Sequence, residues 1–479
     1  MKLSKSILLF FGVFPCLAGI AEAIPSRAEK PNILFILVDD LGKEWIRSYG
    51  AEGIETPNVD YLAKTGLKFE NFYSTPQCTP SRVSLFTGQY PFRHGWVNHW
   101  DVPRWGGGVH FDWNKNPGIA GLMQSAGYQT AAAGKWQVND FRVQPKAMEH
   151  HGFSDWCMWT GYETGNKPSA NRYWDPYIHT KQGSRTYKGE FGEDIFSSFL
   201  IDFMKKHRDE PMFLYYAMCL THVPFTNTPL EPHVTEKYDC HKAMVRYTDL
   251  IVGKLIKALD DLGLRENTII MFTTDNGTTG EITGTLEGRQ VQGGKQKTTE
   301  NGICEPFVVN CPKLVPKGRV TTALGDLTDI LPTCAQLAGV PLPTKYIFDG
   351  VSLANVILGK AGDSSREWIM AMGGGNNAAL SEKGMENQYR FRDRVIRNKQ
   401  FKLFVSTERK PDKLFSLKED PEEENNLLFS NDPQIKIEYE KLLKVVSTFP
   451  QQDADPHYDP LPGQPWDVGV TVKSEQWKK

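Results

Sequence analysis

The chain has 479 residues, of which 40% are hydrophobic and 23% are charged. This composition is typical of a folded globular protein and excludes a disordered or collagen-like chain. The 55 Lys and Arg nearly balance the 57 Asp and Glu, and a formal charge of −2 argues against a nucleic-acid partner, because phosphate contacts require a basic excess. Length alone allows roughly two to three domains, and an enzyme is the expected class.

The first 23 residues have the pattern of a secretory signal peptide. Two lysines precede the apolar run 7–20, and Ala21-Glu22-Ala23 supplies a small-residue cleavage site. We therefore expect residues 1–23 to be removed and the mature protein to be periplasmic or secreted. The run is too short to span a membrane, and Cys16 precedes the cleavage site, so we expect no membrane anchor.

Three apolar, β-rich runs predict strands buried on both faces of a parallel sheet: residues 32–38, 213–220 and 268–273. Between the second and third runs, apolar residues recur at helical spacing from Met244 to Leu262, and Gly263 supplies a helix stop. Strands that alternate with helices predict an α/β domain with a large, mainly parallel sheet.

Polar residues follow each predicted strand, and they are Asp39-Asp40, Thr221-His222 and Asp275-Asn276. Because ligands bind beyond the carboxyl ends of parallel strands, we expect these residues to converge. Alone, each acidic motif is a common turn. Together they offer three carboxylates and one amide, and such oxygen ligands suit Ca²⁺ or Mg²⁺ rather than zinc.

A smaller unit is expected after about residue 360. Residues 395–403 and 413–417 predict short strands, and residues 435–446 predict a helix. The acidic run 419–424 is interpreted as a solvated loop. We therefore expect a catalytic domain over residues 24–360 and a smaller C-terminal α+β subdomain over residues 361–479.

Eight cysteines are present, and Cys16 belongs to the predicted signal peptide. Six others have no metal-site spacing and are expected to be core residues or occasional disulfides: Cys157, Cys219, Cys240, Cys304, Cys311 and Cys334. Of these, Cys304 and Cys311 can bridge in an oxidising compartment.

Cys78 begins the string Cys78-Thr79-Pro80-Ser81-Arg82. Alone, such a cysteine is a structural thiol, but C-x-P-S-R followed by Leu85 and Thr87-Gly88 resembles the formylglycine signature of the type I sulfatases, in the alkaline-phosphatase-like superfamily. The resemblance continues in order through residues 32–42, Gly134-Lys135-Trp136, Thr221-His222, residues 273–277, and Gly294-Lys295 leading to Glu300. It implies a sulfuric ester hydrolase with a parallel sheet sandwiched by helices.

The resemblance implies a covalent mechanism at Cys78. A formylglycine-generating or sulfatase-maturating enzyme oxidises this residue to Cα-formylglycine, whose aldehyde hydrates to a geminal diol. One hydroxyl attacks sulfur, and the substrate alcohol leaves. The second hydroxyl then lets the aldehyde re-form and expel sulfate, whereas an ordinary serine would remain a stable sulfate ester.

The resemblance also implies the metal ligands, which are Asp39, Asp40, Cys78, Asp275 and Asn276. They are expected to hold Ca²⁺, with Mg²⁺ as the alternative. Asp275 is also expected to accept the proton of the attacking hydroxyl. Arg82 is expected to fix the modified residue, and a helix that begins near Pro80 or Ser81 is expected to direct its positive end at the anion.

The remaining implied site residues are Lys135, Lys295 and His222. Both lysines are expected to bind sulfate, and Lys295 and His222 are expected to protonate the leaving oxygen. As isolated residues, the lysines would be surface charges and His222 a core histidine. Lys297 is a weaker candidate for the role of Lys295.

Two positions depart from the family pattern. Gln137-Val138 replaces the usual His-Leu, and the missing histidine is thought to assist the release of sulfate. Glutamine cannot carry a proton near neutral pH. Either another group removes the proton of the sulfated diol, or the release of sulfate is slow. Cys304 stands where many members have arginine, and we expect an effect on packing only.

Two segments of the sequence are candidates for substrate recognition. Two segments, 93–105 and 171–175, are rich in aromatic and cationic residues that can hold a sugar or anchor a loop. A sulfated carbohydrate is the expected substrate by analogy. The alternatives are a phosphodiester or phosphonate ester hydrolase of the same superfamily and a non-catalytic binder of sulfated glycans. The intact Cys78, Arg82 and metal-ligand set argue against the binder.

Overall fold

The computed structural model describes residues 30–97, 109–159, 172–373, 378–381, 384–387, 389–455 and 457–460. The predicted signal peptide lies outside the described residues. The strands are β1 Asn32–Val38, β2 Ala51–Glu52, β3 Leu67–Tyr73, β4 Val109–Phe111, β5 Gln129–Lys135, β6 Asp155–Trp159, β7 Tyr177–Thr180, β8 Gly183–Thr186, β9 Met212–Ala217, β10 Thr268–Thr274, β11 Thr283–Leu286, β12 Arg289–Gln292, β13 Cys304–Asn310, β14 Arg319–Asp326, β15 Ile369–Met372, β16 Ala378–Ser381, β17 Gly384–Asn387, β18 Arg394–Arg397, β19 Phe401–Val405, β20 Pro411–Ser416 and β21 Tyr458–Pro460.

The α-helices are α1 Pro57–Thr65, α2 Cys78–Thr87, α3 Pro91–His94, α4 Ile119–Ser125, α5 Ala147–His150, α6 Gly192–Lys206, α7 Lys237–Asp261, α8 Glu300–Ile303, α9 Ile330–Ala338, α10 Ala354–Ile357 and α11 Pro433–Thr448. Short 3₁₀ turns cover Lys43–Trp45, Arg47–Tyr49, Arg265–Asn267 and Leu327–Asp329. Over the described ranges, we find no helix with the length and hydrophobicity that crossing a bilayer requires.

A ten-stranded sheet forms the centre of the fold, in the order β14-β3-β13-β10-β1-β9-β5-β6-β7-β8. Its middle strands are parallel, because β1 pairs in parallel with β10 and β9, and β5 pairs in parallel with β9 and β6. Strands β13, β7 and β8 pair antiparallel with their neighbours nearer the edges. The predicted α/β class with a large, mainly parallel sheet is confirmed.

Helices cover both faces of this sheet, and β1 shows why its sequence is continuously apolar. Ile33, Phe35 and Leu37 belong to one hydrophobic core with α2, α4 and α9. The alternate residues of β1 belong to a second core with α1, α6 and α7 on the opposite face. A strand buried on both faces has no solvent-exposed position, so no polar alternation appears.

The predicted strand 213–220 is shorter in the structure, because β9 ends at Ala217. Residues 218–220 remain fully buried, but the N–H groups of Cys219 and Leu220 donate to the carboxylate of Glu193 instead of a neighbouring strand. Hydrophobicity alone could not show where sheet pairing stops. The predicted helix after it corresponds to α7.

The C-terminal region contains a four-stranded antiparallel sheet in the order β15-β18-β19-β20, with α11 packed against β18 and β19. The prediction of one strand over 395–403 is wrong, because this stretch is the hairpin β18–β19. The side chain of Asn398 accepts hydrogen bonds from the N–H groups of Gln400 and Phe401 and so stabilises the turn. The domain boundary near residue 360 stays a prediction.

The seven cysteines of the described ranges are free thiols. Cys304 begins β13 and Cys311 follows its last residue. Seven extended residues span roughly 20 Å, far beyond the Cα separation of about 7 Å that a disulfide tolerates. The disulfide considered between Cys304 and Cys311 is therefore excluded by geometry.

Candidate active site

The predicted metal ligands meet at the carboxyl ends of β1 and β10. These strands are neighbours in which Val38 pairs with Thr274, so Asp39-Asp40 and Asp275-Asn276 leave the sheet side by side. All four side chains are buried. The backbone N–H of Asp40 donates to Asp275 Oδ1 at 3.2 Å, and Asn276 Nδ2 donates to Asp40 Oδ1 at 2.8 Å.

Cys78 reaches the same cluster from helix α2. Its Sγ and one carboxylate oxygen each of Asp39 and Asp275 lie within 4.8 Å of one another. The helix begins at Cys78 itself, two or three residues before the predicted start near Pro80 or Ser81. Proline is tolerated in this first turn because its missing N–H has no helical partner there. The positive end of α2 therefore lies at the thiol.

Three cations pair with the three carboxylates. Lys135 Nζ lies 2.5 Å from Asp39 Oδ2, and Lys295 Nζ lies 2.6 Å from Asp40 Oδ2. Arg82 Nη2 lies 2.6 Å from Asp275 Oδ2 and 3.7 Å from Asp39 Oδ2. The structure therefore brings the cationic residues predicted from the sequence onto the predicted ligands.

Charge pairing shifts the acidities of these groups. Burial opposes ionisation of Asp39, but the charges of Lys135 and Arg82 outweigh it and lower the pKa of Asp39 to about 2. Burial, together with the charge of Asp39, raises the pKa of Asp275 well above its ordinary value. Burial opposes the charge of Lys295, but Asp40 outweighs it and raises the pKa of this ammonium group.

His222 completes the cluster from the segment that follows β9. Its Nδ1 lies 2.6 Å from the carbonyl oxygen of Val223, which leaves Nε2 3.7 Å from Asp40 Oδ2. Burial and the charges of Lys295 and Lys135 hold the pKa of His222 well below its ordinary value. The imidazole is therefore neutral in the free site at neutral pH.

Two buried oxygens of this cluster make no hydrogen bond within the described part of the chain, Asp39 Oδ1 and Asn276 Oδ1. Leaving a buried acceptor unsatisfied costs about 1–3 kcal/mol, so such atoms are rare unless a ligand uses them. Both are hard oxygen donors among carboxylates, which is the donor chemistry that Ca²⁺ and Mg²⁺ prefer. The residues present therefore fit a divalent cation.

The backbone is strained at two positions beside the cluster. Asp40 has φ of 60° and Gln137 has φ of 134°, values that non-glycine residues rarely adopt. Gly134 has φ of 95°, and a Cβ there would lie 1.8 Å from the carbonyl oxygen of Ala217. Only glycine lets β5 pass this close to β9 and deliver Lys135 to the site.

The two candidate specificity segments are only partly described, since His99, Trp100, Arg104, Trp105 and Asn171 lie outside the described residues. Tyr173 is buried, and the indole N–H of half-buried Trp174 donates to Asn227 Oδ1 at 2.8 Å. Sugar contact by Tyr173 is therefore wrong, because its ring is inside the protein.

The weaker candidates lie elsewhere. Lys297 is exposed and lines a cavity of about 580 Å³ together with Lys43, Glu300 and Cys304. Lys43 Nζ donates to Cys304 Sγ at 2.9 Å. Cys304 therefore has a polar partner, and the expectation that it affects packing only stays a prediction.

Two residues near the site had no sequence signal for the contacts that they make: Glu193 was not singled out, and Tyr173 was singled out only for sugar contact or loop anchoring. Glu193 in α6 and Tyr173 bind the backbone of residues 219–222, the segment that carries His222. Each is separated from that segment by 26 or more positions along the chain. A glutamate in the first turn of a helix is typical of helix starts in general. Only spatial contact distinguishes it.

Comparisons with known proteins add independent information. A family model described as Sulfatase matches residues 31–340, which include every predicted site residue. N-acetylgalactosamine-6-sulfatase of Canis lupus familiaris is 32% identical over 376 residues, covering 71% of this chain and 68% of that protein. N-acetylgalactosamine-6-O-sulfatase of Bacteroides thetaiotaomicron is 28% identical over 494 residues, covering 88% and 94%. The crystal structure of Ps i-CgsB matches with a TM-score of 0.73 and 25% identity, covering 90% of this chain and 95% of that chain.

Proposed function

The chain belongs to the sulfatase family of sulfuric ester hydrolases, and we propose that it removes sulfate from a sulfated carbohydrate, using a nucleophile derived from Cys78. The observation that carries this proposal is the position of Cys78. Its sulfur lies at the start of a helix, against two carboxylates, in a cluster that also contains three buried or half-buried cations. Two relatives named as N-acetylgalactosamine-6-sulfatases support a sugar substrate.

We propose that Cys78 is converted to Cα-formylglycine by a formylglycine-generating or sulfatase-maturating enzyme. The hydrated aldehyde supplies one hydroxyl that attacks sulfur and a second that later releases sulfate. Asp275 is the proposed acceptor of the proton from the attacking hydroxyl. The position of Asp275 supports this role, because one of its carboxylate oxygens lies within 4.8 Å of Cys78 Sγ.

We propose that Asp39, Asp40, Asp275 and Asn276, with the modified Cys78, hold Ca²⁺, and Mg²⁺ is the alternative. The unsatisfied oxygens of Asp39 and Asn276 support this assignment. When bound, the cation supplies positive charge that neutralises sulfate oxygens and favours the ionised nucleophile.

Sulfate recognition is assigned to Lys135, Lys295 and Arg82. Each nitrogen now bonded to a carboxylate is a donor that a sulfate oxygen can share. Lys295 keeps its proton at neutral pH and is one proposed acid for the leaving oxygen. His222 is the other, since an anionic substrate adds the negative charge that favours the protonated imidazole.

Export is part of the proposal. The lysine-flanked apolar run and Ala21-Glu22-Ala23 support cleavage after Ala23, which would release the protein to the periplasm or the medium.

The experiment that tests this function compares one sugar bearing a 6-sulfate with the same sugar bearing a 6-phosphate, on a single matured enzyme preparation. We expect a higher kcat/KM for the sulfate. A preference for the phosphate would move the assignment to phosphorus esters. Saturable binding of sulfated sugars with no release of sulfate would make the protein a glycan binder instead.

A further inference from the structure

We propose that Tyr173 and Glu193 are positioning residues that hold His222 in place for proton transfer to the leaving group. This inference rests on the proposed function, in which His222 is an acid. Among the described residues, neither side chain forms a hydrogen bond with a side chain of the predicted metal ligands. Both bind the 219–222 segment, which joins the end of β9 to His222.

Glu193 binds the start of this segment. Its Oε1 accepts hydrogen bonds from the N–H of Cys219 at 2.7 Å and of Leu220 at 3.1 Å, and its Oε2 accepts one from the Tyr216 hydroxyl. The carboxylate is fully buried. Beyond the end of β9, this carboxylate accepts the backbone hydrogen bonds that a neighbouring strand would otherwise accept. Glu193 therefore determines where the chain leaves the sheet.

Tyr173 binds both ends of the segment. Its hydroxyl lies 2.8 Å from the carbonyl oxygen of Cys219 and also within hydrogen-bond distance of the carbonyl oxygen of His222, so its single proton is shared between these two acceptors. Its own carbonyl accepts from the N–H of Gly192 at 2.7 Å. Tyr173 and the start of α6 are thus one unit, and that unit contacts the segment on its outer side.

The opposite side of the segment is bound by the backbone of the acidic pair. The N–H of Thr221 donates to the Asp39 carbonyl at 2.6 Å, and the N–H of Asp39 donates to the Leu220 carbonyl at 2.8 Å. The segment is therefore held between the acidic pair and the unit of Tyr173 and Glu193. Loss of the outer contacts would free His222 to move while the acidic pair stays in place.

Small displacements of His222 should strongly reduce the rate of proton transfer to the leaving group. His222 Nδ1 is engaged by Val223, so only Nε2 faces the site, and the direction of Nε2 follows the backbone that Tyr173 holds. A misplacement of about 1 Å can cost roughly 100-fold in rate. The cost should appear only with leaving groups that need a proton, because activated aryl sulfates leave with little protonation.

The test is a double-mutant cycle with Tyr173→Phe and His222→Ala in the full, matured, metal-loaded enzyme, using a sugar sulfate and 4-nitrophenyl sulfate. Tyr173→Phe should lower kcat on the sugar sulfate about 10-fold with little change in KM, and should barely affect the aryl sulfate. In the His222→Ala background the loss should disappear, because the residue that it positions is gone. Additive losses would overturn the inference.

Tyr247→Phe is the matched control. Its side chain is also buried, and its hydroxyl donates to Asp194, the neighbour of Glu193 in α6, at 2.8 Å. We expect no leaving-group-dependent loss in this variant. If Tyr173→Phe and Tyr247→Phe behave alike, the positioning role is wrong. If His222→Ala itself slows both substrates equally, the acid role within the proposed function fails instead.

Glu193 is tested by rescue. Glu193→Gln keeps an oxygen that accepts from both N–H groups and should retain most of the sugar-sulfate kcat. Glu193→Ala, assayed below its own Tm, should have a lower kcat on the sugar sulfate and an unchanged kcat on the aryl sulfate. Equal kinetics of the two variants on both substrates would remove Glu193 from the inference, and Tyr173→Phe remains decisive if Glu193→Ala does not fold.

Discussion

Two buried clusters each place one arginine between two aspartates, and they differ in how many of their polar atoms are satisfied. Arg366 donates from Nε to Asp329 at 3.0 Å, from Nη1 to the Tyr90 hydroxyl at 2.9 Å and from Nη2 to Thr328 at 3.2 Å. Arg82 donates from Nη2 to Asp275 at 2.6 Å. Its Nε and Nη1 make no hydrogen bond of ordinary geometry among the described residues, although the Tyr215 hydroxyl lies near the guanidinium group.

This difference in hydrogen bonding distinguishes a cluster that stabilises the fold from a cluster that can bind a ligand. A fully satisfied buried network stabilises one arrangement and has no capacity left for a ligand. The Arg366 cluster joins the turn at the start of α9 to Tyr90 and so supports the fold. The cluster around Arg82 keeps donors and acceptors available, which is what a metal ion, a modified side chain and a sulfate group require.

The largest expected effect is at Cys78, the proposed source of the nucleophile. Cys78→Ala leaves no atom that can attack sulfur, so turnover of a sugar sulfate should fall by about 10⁴-fold or more. The lost volume is small, so the Tm should change little. Steady-state kinetics and thermal melting on the same preparation check both statements, and appreciable turnover by this variant would refute the assignment.

The next effect distinguishes the two clusters by their response to metal. Asp40→Ala should lower kcat/KM by about 10³-fold, because a ligand is lost. Added Ca²⁺ should raise the Tm of the wild type and not of this variant, since only a bound ligand shifts unfolding. Asp326→Asn, in the Arg366 cluster, is the control and should keep the response. A metal-dependent Tm shift in Asp40→Ala would show that the ion binds elsewhere.

The Arg366 cluster should show the opposite behaviour. Arg366→Met leaves the carboxylates of Asp326 and Asp329 buried without their partner, which should cost about 3–5 kcal/mol of unfolding free energy. At temperatures where the variant is folded, kcat should equal that of the wild type. Urea denaturation and kinetics measure the two quantities. A lower kcat in the fully folded variant would mean that the Arg366 cluster also contributes to catalysis.

A smaller effect concerns pH and Glu193. Burial raises the pKa of Glu193 to about 7 from the ordinary value of 4.5. The folded state therefore holds this proton more tightly, so its contribution to stability is complete below about pH 4.5 and is lost as the pH rises through about 7. Relative to Glu193→Gln, the wild type should lose roughly 2–3 kcal/mol of unfolding free energy between about pH 4.5 and pH 8. Parallel pH profiles of the two proteins would contradict this.

The convergence of Asp39, Asp40, Asp275 and Asn276 was predictable because β1 and β10 are buried on both faces. Such strands have uninterrupted apolar sequences, so the polar pairs that end them are conspicuous, and parallel strands place those ends together. Cys78, Arg82, Lys135 and Lys295 followed from the family resemblance rather than from periodicity. The position of His222 followed from the end of a predicted strand, and its role followed from the resemblance.

The rest depended on contacts between distant residues. The end of β9 is set by the side chain of Glu193, and the hairpin after β18 is set by Asn398, neither of which alters the hydrophobic pattern. The three donors of Arg366 are satisfied by residues up to 276 positions away. A long-range polar network leaves no periodic trace in a sequence, so only the folded structure shows it.

The central claim is that Cys78 becomes the nucleophile in the cluster around Arg82. Peptide mass spectrometry tests this claim most directly. Trypsin should release residues 69–82, which end at Arg82. In active preparations this peptide should carry an aldehyde or its hydrate in place of the thiol, and kcat should rise in proportion to the modified fraction across preparations of different maturation. Full activity in a preparation whose peptide contains only the unmodified cysteine would contradict the account.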